Sequence, residues 1–132
     1  MYQARLSDVP FFSGLKKKEL ELISRQADEV DVPAGKVLAQ QGTFGDQFFV
    51  IEDGTAEVTR DGERVGELGP GDFFGEMALL QEERRTATVT ATSPMTLIVM
   101  TRASFRAIDK AMPHVHEAVS RAIEQRKVKT AR

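Results

Sequence analysis

The 132-residue sequence has no cysteine, only two histidines and no long apolar stretch, and each shortage removes a class of protein. Without thiols there is no disulfide framework, no need for an oxidising compartment and no cysteine-based metal site. His114 and His116 stand two residues apart beside Pro113, a spacing that turns them away from each other on a helix. With no third histidine, a metal site of the cupin type lacks its ligands, and both read as ordinary surface residues. Leu97–Met100, the longest apolar run near the C-terminal half, is far too short to cross a bilayer. Charged and polar residues precede any apolar block at the N-terminus, so no secretory leader is read there, and a cytoplasmic protein or domain is expected.

An excess of one charge is also missing. The 18 Lys and Arg residues against 20 Asp and Glu leave a net charge of −2. Broad electrostatic attachment to a nucleic-acid backbone is therefore not expected. The exception is the tail, where Arg121, Arg126, Lys127, Lys129 and Arg132 accumulate and read as cations near a helix C-terminus. Nothing in the sequence pairs a nucleophile with a base, which points away from an enzyme.

What is present falls into three zones of a single domain, residues 1–132. In the first, Ser13 is placed to cap a helix over about 13–27, with Leu15, Leu20, Ile23 and Ala27 near one face. Lys16–Lys18 fall in its first turn, where the helix dipole opposes them, so that end should fray. The second zone, about 30–100, holds nine of the ten glycines, between Gly35 and Gly75. Asp53-Gly54 and Asp61-Gly62 each separate short apolar or β-branched runs, and Asp-Gly suits tight hairpins, so an antiparallel meander is expected. Leu68-Gly69-Pro70-Gly71-Asp72 marks another turn. After Arg102 the glycines vanish: Ser104–Met112 reads as a short helix, and a second runs from Pro113 towards Lys129. On the latter, Val115, Val119, Ala122 and Ile123 form an apolar stripe. The expected class is α+β: short antiparallel strands in a sandwich or barrel with Greek-key or jelly-roll connections, with one helix before them and two after, over about 102–130.

Chemistry concentrates in Phe73–Val89. Glycine and a carboxylate open a short helix-prone piece, and a helix N-terminus attracts anions. Arginine, ten residues after Gly75, can close over the same anion with its planar fork of donors. The carboxylate between them would be repelled by that anion and is better suited to neutral hydroxyls. An anionic phosphate beside a sugar hydroxyl satisfies all three parts.

At these residues, Gly75-Glu76-Met77-Ala78-Leu79-Leu80 followed by Arg85-Thr86-Ala87-Thr88-Val89, the chain resembles the phosphate-binding cassette of cyclic nucleotide-binding domains. That family includes catabolite-activator-like regulators, regulatory subunits of cyclic-AMP-dependent kinase and cyclic-nucleotide-gated channels. The lead-in Val9-Pro10-Phe11-Phe12-Ser13-Gly14-Leu15 and the turn glycines Gly35, Gly42, Gly54, Gly69 and Gly71 are similar as well. The resemblance covers nearly the whole chain and implies an antiparallel, jelly-roll-like β-roll flanked by one N-terminal helix and two C-terminal helices. On the residues alone, Arg84 or Arg85 could take a phosphate. The family pattern places the binding arginine directly before the small residue and alanine, which selects Arg85 and leaves Arg84 an exposed loop charge.

The resemblance implies a role for each position. Arg85 would pair with the cyclic phosphate, a charge-assisted contact worth about 1.5–3 kcal/mol, or about tenfold to a hundredfold in affinity. Glu76 would accept from the ribose 2′-hydroxyl, which gives a basis for rejecting deoxy analogues. Gly75 would let the backbone approach the sugar, Met77 and Ala78 would contribute backbone groups, and Ala87 would present its N–H to the phosphate. Thr86 bears on the base, because alanine here goes mainly with cyclic AMP whereas threonine is similar to cyclic-GMP-responsive and dual-response members. Cyclic AMP is favoured, with cyclic GMP compatible. If an arginine of the last helix caps the base it would be Arg126, eleven residues after Val115 and so on the stripe's face. The implied protein is a non-catalytic sensor with no cofactor beyond its cyclic nucleotide, whose ligand repositions the last helix. That helix also offers a face for pairing with a second copy. Two alternatives stay open: a β-roll interaction module with a degenerate pocket, and a piece of a cyclic-nucleotide-dependent transcription regulator.

Overall fold

Two apolar tetrads, Phe48-Phe49-Val50-Ile51 and Leu97-Ile98-Val99-Met100, lack the polar alternation of a half-buried strand, and the architecture shows why. The structure, a computed structural model, describes residues 6–130, and the side chains of residues 6–125 apart from Phe11. Helix α1 (Lys17–Arg25) precedes the strands β1 (Asp28–Val32), β2 (Val37–Ala39), β3 (Phe44–Gly45), β4 (Gln47–Asp53) and β5 (Ala56–Arg60). There follow β6 (Glu63–Leu68), β7 (Phe73–Phe74), β8 (Glu83–Arg84), β9 (Thr88–Ala91) and β10 (Met95–Thr101), then α2 (Arg102–Ala111) and α3 (Pro113–Thr130). One sheet has the order β1-β10-β4-β7 and the other β2-β9-β5-β6, while β3 pairs with β8 alone. The pairings are antiparallel. The result is the open, jelly-roll-like β-roll with flanking helices.

The tetrads lie side by side in the first sheet, with Val50 opposite Ile98 and Phe49 opposite Val99. Phe48, Val50, Ile98 and Met100 face the helices and pack with Phe12, Ile23, Phe105, Ile108, Val115, Val119 and Ile123. Phe49, Ile51, Leu97 and Val99 face the second sheet and meet Ala56, Val89 and Ala91. Both faces of these strands are therefore core. Each such side chain contributes about 1.5–3 kcal/mol by leaving water.

The two Asp-Gly pairs behave differently. Asp61-Gly62 is the expected tight hairpin between β5 and β6, with Asp61 at φ 55° and Gly62 at φ 82° and Arg60 opposite Glu63. Asp53-Gly54 is not a hairpin. Its flanking strands belong to different sheets, because both edges of β4 are already taken by β10 and β7. The chain crosses between sheets there, so the meander holds only for β5 and β6.

The helices also depart from expectation in detail. Ser13 does not start α1; its hydroxyl donates to the Pro10 carbonyl at 2.8 Å and closes a 3-10 turn over Pro10–Phe12. The first turn of α1 is held instead by Glu19, whose Oε1 accepts from the Lys16 backbone N–H at 2.8 Å. That bond, and then the His114 ring at 3.1 Å, hold Glu19 below the usual carboxylate range, and its charge offsets Lys16–Lys18. Thr101 caps α2 by accepting from the Ser104 N–H at 3.1 Å, so that helix starts at Arg102 rather than Ser104. His116 is not an ordinary surface residue either: its ring stacks on Phe105 at 4.3 Å, and its side chain is 23% exposed. Among the described residues no helix is long and apolar enough to cross a membrane.

Candidate functional site

A cavity of about 330 Å³ lies between the second sheet and the segment that links β7 to β9. Ala39, Val58, Leu68 and Val89 give it an apolar wall, and Gly75, Glu76, Arg85 and Ala87 a polar one. Such a division suits a ligand with a flat, weakly polar part and a charged part. All seven residues singled out in the stretch from Gly75 to Ala87, including Met77, Ala78 and Thr86, line it.

The polar wall is built around one side chain. β3 and β8 form a two-stranded ribbon, and the Arg85 N–H continues it by donating to the Thr43 carbonyl at 2.8 Å. Side chains alternate along such a segment, so neighbouring arginines diverge. Arg85 turns towards the cassette, where Nη2 donates to the Gln47 carbonyl at 2.7 Å. Its guanidinium lies against Gly45 and Gly75, and a Cβ at either position would strike it. Gly75 is also left-handed, at φ 80°, where an L side chain would be strained. Burial pushes the Arg85 guanidinium below its ordinary range, and the nearby Asp46 and Glu76 carboxylates oppose the shift. Arginine remains a cation through the whole physiological range.

Arg84 goes the other way. Its guanidinium sits 4.5 Å from the Phe44 ring centroid, and Nη1 donates to the Gly42 carbonyl at 2.7 Å. It borders the cavity too, but its donors are directed to the ribbon's own backbone.

Three details revise the sequence reading. The helical piece is a single 3-10 turn, Glu76–Leu79, whose dipole is correspondingly small, so the positive charge of the site rests on its arginine side chains. Ala78 offers no backbone donor: its N–H bonds the Gly75 carbonyl at 3.1 Å, and its carbonyl accepts from Arg102 Nε at 2.8 Å. Arg126 lies on α3, but its side chain is outside the described residues, and no described α3 residue lines the cavity.

Sequence reasoning missed two other arginines. Arg102 ties α2 to the site: beyond its bond to Ala78, Nη2 reaches the Gly45 carbonyl at 3.2 Å and its backbone N–H the Asp46 carbonyl at 2.8 Å. Arg60 lines the cavity from the end of β5 and donates from Nε to the Thr86 carbonyl at 3.2 Å. These partners are remote in the chain, and no local pattern flags them.

A fixed cation beside a carboxylate and a tight glycine, facing an apolar wall, describes a receptor for a small phosphorylated ligand. The family model described as the cyclic nucleotide-binding domain matches residues 29–111, well over half of the chain. This chain belongs to the cyclic nucleotide-binding domain family. It is 39% identical over 106 residues to a cAMP-dependent protein kinase regulatory subunit of Schizosaccharomyces pombe, covering 80% of this chain and 26% of that protein. A cyclic nucleotide-gated potassium channel of Rhizobium etli is 37% identical over 119 residues, covering 89% of this chain and 33% of the channel. Among solved structures, the N-terminal domain of a transcriptional regulator from Streptomyces coelicolor A3(2) superposes with a TM-score of 0.86 at 27% identity. That match covers 96% of this chain and 92% of the other. The chain thus spans about a quarter to a third of the length of these two curated relatives.

Proposed function

We propose that this domain is a non-catalytic receptor for a cyclic purine nucleotide, cyclic AMP or cyclic GMP. The observation that carries the reading is the seating of Arg85 between Gly45 and Gly75 on the polar wall of the cavity. There its remaining donors can take the cyclic phosphate, with the Ala87 N–H as a second contact. Glu76 takes the ribose 2′-hydroxyl, and Gly75 lets the sugar come close to the backbone. The base lies against Val58, Leu68 and Val89, with Thr86 at its edge.

The output is a change in the position of α3. Its residues pack on the core that also receives Leu79 and Met77 of the cassette turn, so a shift of that turn is felt by the helix. A ligand drives the shift only through its different affinity for the two helix positions.

The absence of cysteine makes a direct test simple. Spin labels on Glu63→Cys and Glu124→Cys, both exposed, report the distance from the roll to α3. Adding cyclic AMP or cyclic GMP should change that distance, and the nucleotide should be recovered intact. Bound nucleotide with an unchanged distance would contradict the helix output, and recovery of a 5′-monophosphate would contradict the non-catalytic reading.

A further inference from the structure

We propose that Arg60 reads the edge of the purine and biases the pocket towards guanine, an inference that rests on the cyclic-nucleotide reading above. Arg60 is the last residue of β5, two positions after Val58, so the two side chains leave the same face of the strand. Both line the cavity. Arg60 lies one residue beyond the last β5–β9 pair, Thr59 with Thr88, and so stands across from the start of β9. Its Nε donates to the Thr86 carbonyl at 3.2 Å, which anchors the guanidinium to the bend between β8 and β9.

The polar side chains that line the cavity are Arg60, Glu76, Glu83, Arg84, Arg85 and Thr86. Arg85 is assigned to the phosphate, and Arg84 is held on Phe44 and the Gly42 carbonyl. Arg60 is therefore the cationic fork left for the base. With Nε anchored, its end-on N–H groups on Nη1 and Nη2 form a planar pair of donors. Guanine presents O6 and N7 as two adjacent acceptors and matches such a pair. Adenine presents N7 beside the N6 amino group, which sets a donor against a donor. The motif residues alone favour cyclic AMP, and this side chain shifts the balance. Because Arg60 is exposed at the rim, water competes and the preference should be about tenfold, the low end for such a contact.

Calorimetry on nucleotide-stripped protein tests this with cyclic AMP, cyclic GMP and cyclic IMP, which keeps O6 and N7 but lacks the 2-amino group open to Thr86. Wild type should bind cyclic IMP more tightly than cyclic AMP, a comparison that needs no variant. In Arg60→Ala the ratio of the cyclic AMP to the cyclic GMP dissociation constant should fall about tenfold, and the cyclic IMP ratio by the same factor. Arg60→Lys keeps the charge without the fork and should also lose the preference. Equal weakening of all three ligands, or unchanged ratios, would overturn the assignment of Arg60 while leaving the receptor reading intact. Wild type that binds none of the three would overturn both.

Discussion

Arg84 and Arg85 are adjacent, carry the same charge and sit on the same ribbon, yet the fold treats them as opposites. Arg85 is partly buried against two glycines, bonded to the Gln47 carbonyl and shifted by desolvation. Arg84 is exposed and stacked on Phe44, itself 56% exposed. Strand alternation is the first cause, since successive side chains leave opposite faces. The second is the absence of side chains at Gly45 and Gly75, which opens a slot on one face only. The cation set into the cavity wall is thus distinguished from the surface cation by what its neighbours lack.

The comparison can be broken or sharpened by substitution. Arg85→Ala should have the largest effect, raising the dissociation constants of cyclic AMP and cyclic GMP about tenfold to a hundredfold in calorimetry. Gly45→Ala should come next: its methyl group fills the slot, which costs about 1–3 kcal/mol in denaturant unfolding and weakens binding by displacing Arg85. Glu76→Gln should shrink the preference for cyclic AMP over its 2′-deoxy analogue about tenfold, read as the ratio of their dissociation constants. Arg84→Ala should leave cyclic nucleotide affinity within about twofold and lower stability by about 0.5–1 kcal/mol, the value of an exposed cation–π contact. The smallest effect concerns Glu19, far from the cavity. Its folded pKa is depressed, so its contribution is present above the unfolded carboxylate value and is lost as pH falls through the folded one. Glu19→Gln should therefore lower the unfolding midpoint slightly at neutral pH and flatten its fall on the acid side, so that the two proteins converge below the ordinary carboxylate range.

The same contrast explains how much could be read in the sequence. Arg85 was separable from Arg84 only by its place before Thr86-Ala87, a pattern of the family; the chain alone shows two basic residues in a row. The apolar stripe of α3 and the Asp61-Gly62 hairpin are legible because both depend on residues a few positions apart. Asp53-Gly54 carried the same local signal, but pairing there depends on which edges of β4 are free, and β10 claims one from more than forty residues away. The tetrads were visible as apolar runs, though not as strands with core on both sides. Arg102 and Arg60 join the site through partners separated by 57 and 26 residues, so only the folded chain brings them in. The packing of His116 is not legible in the sequence because its ring finds Phe105 across the α2–α3 junction.

The central claim is that the cavity recognises a cyclic phosphate ester on a purine nucleoside. The most direct measurement is a calorimetric titration of nucleotide-stripped protein with cyclic AMP and cyclic GMP, using 5′-AMP as the control. The account predicts saturable binding of at least one cyclic nucleotide, tighter than that of 5′-AMP. Binding of 5′-AMP as tight as that of both cyclic forms, or no binding of either confirmed by a second method, would contradict it.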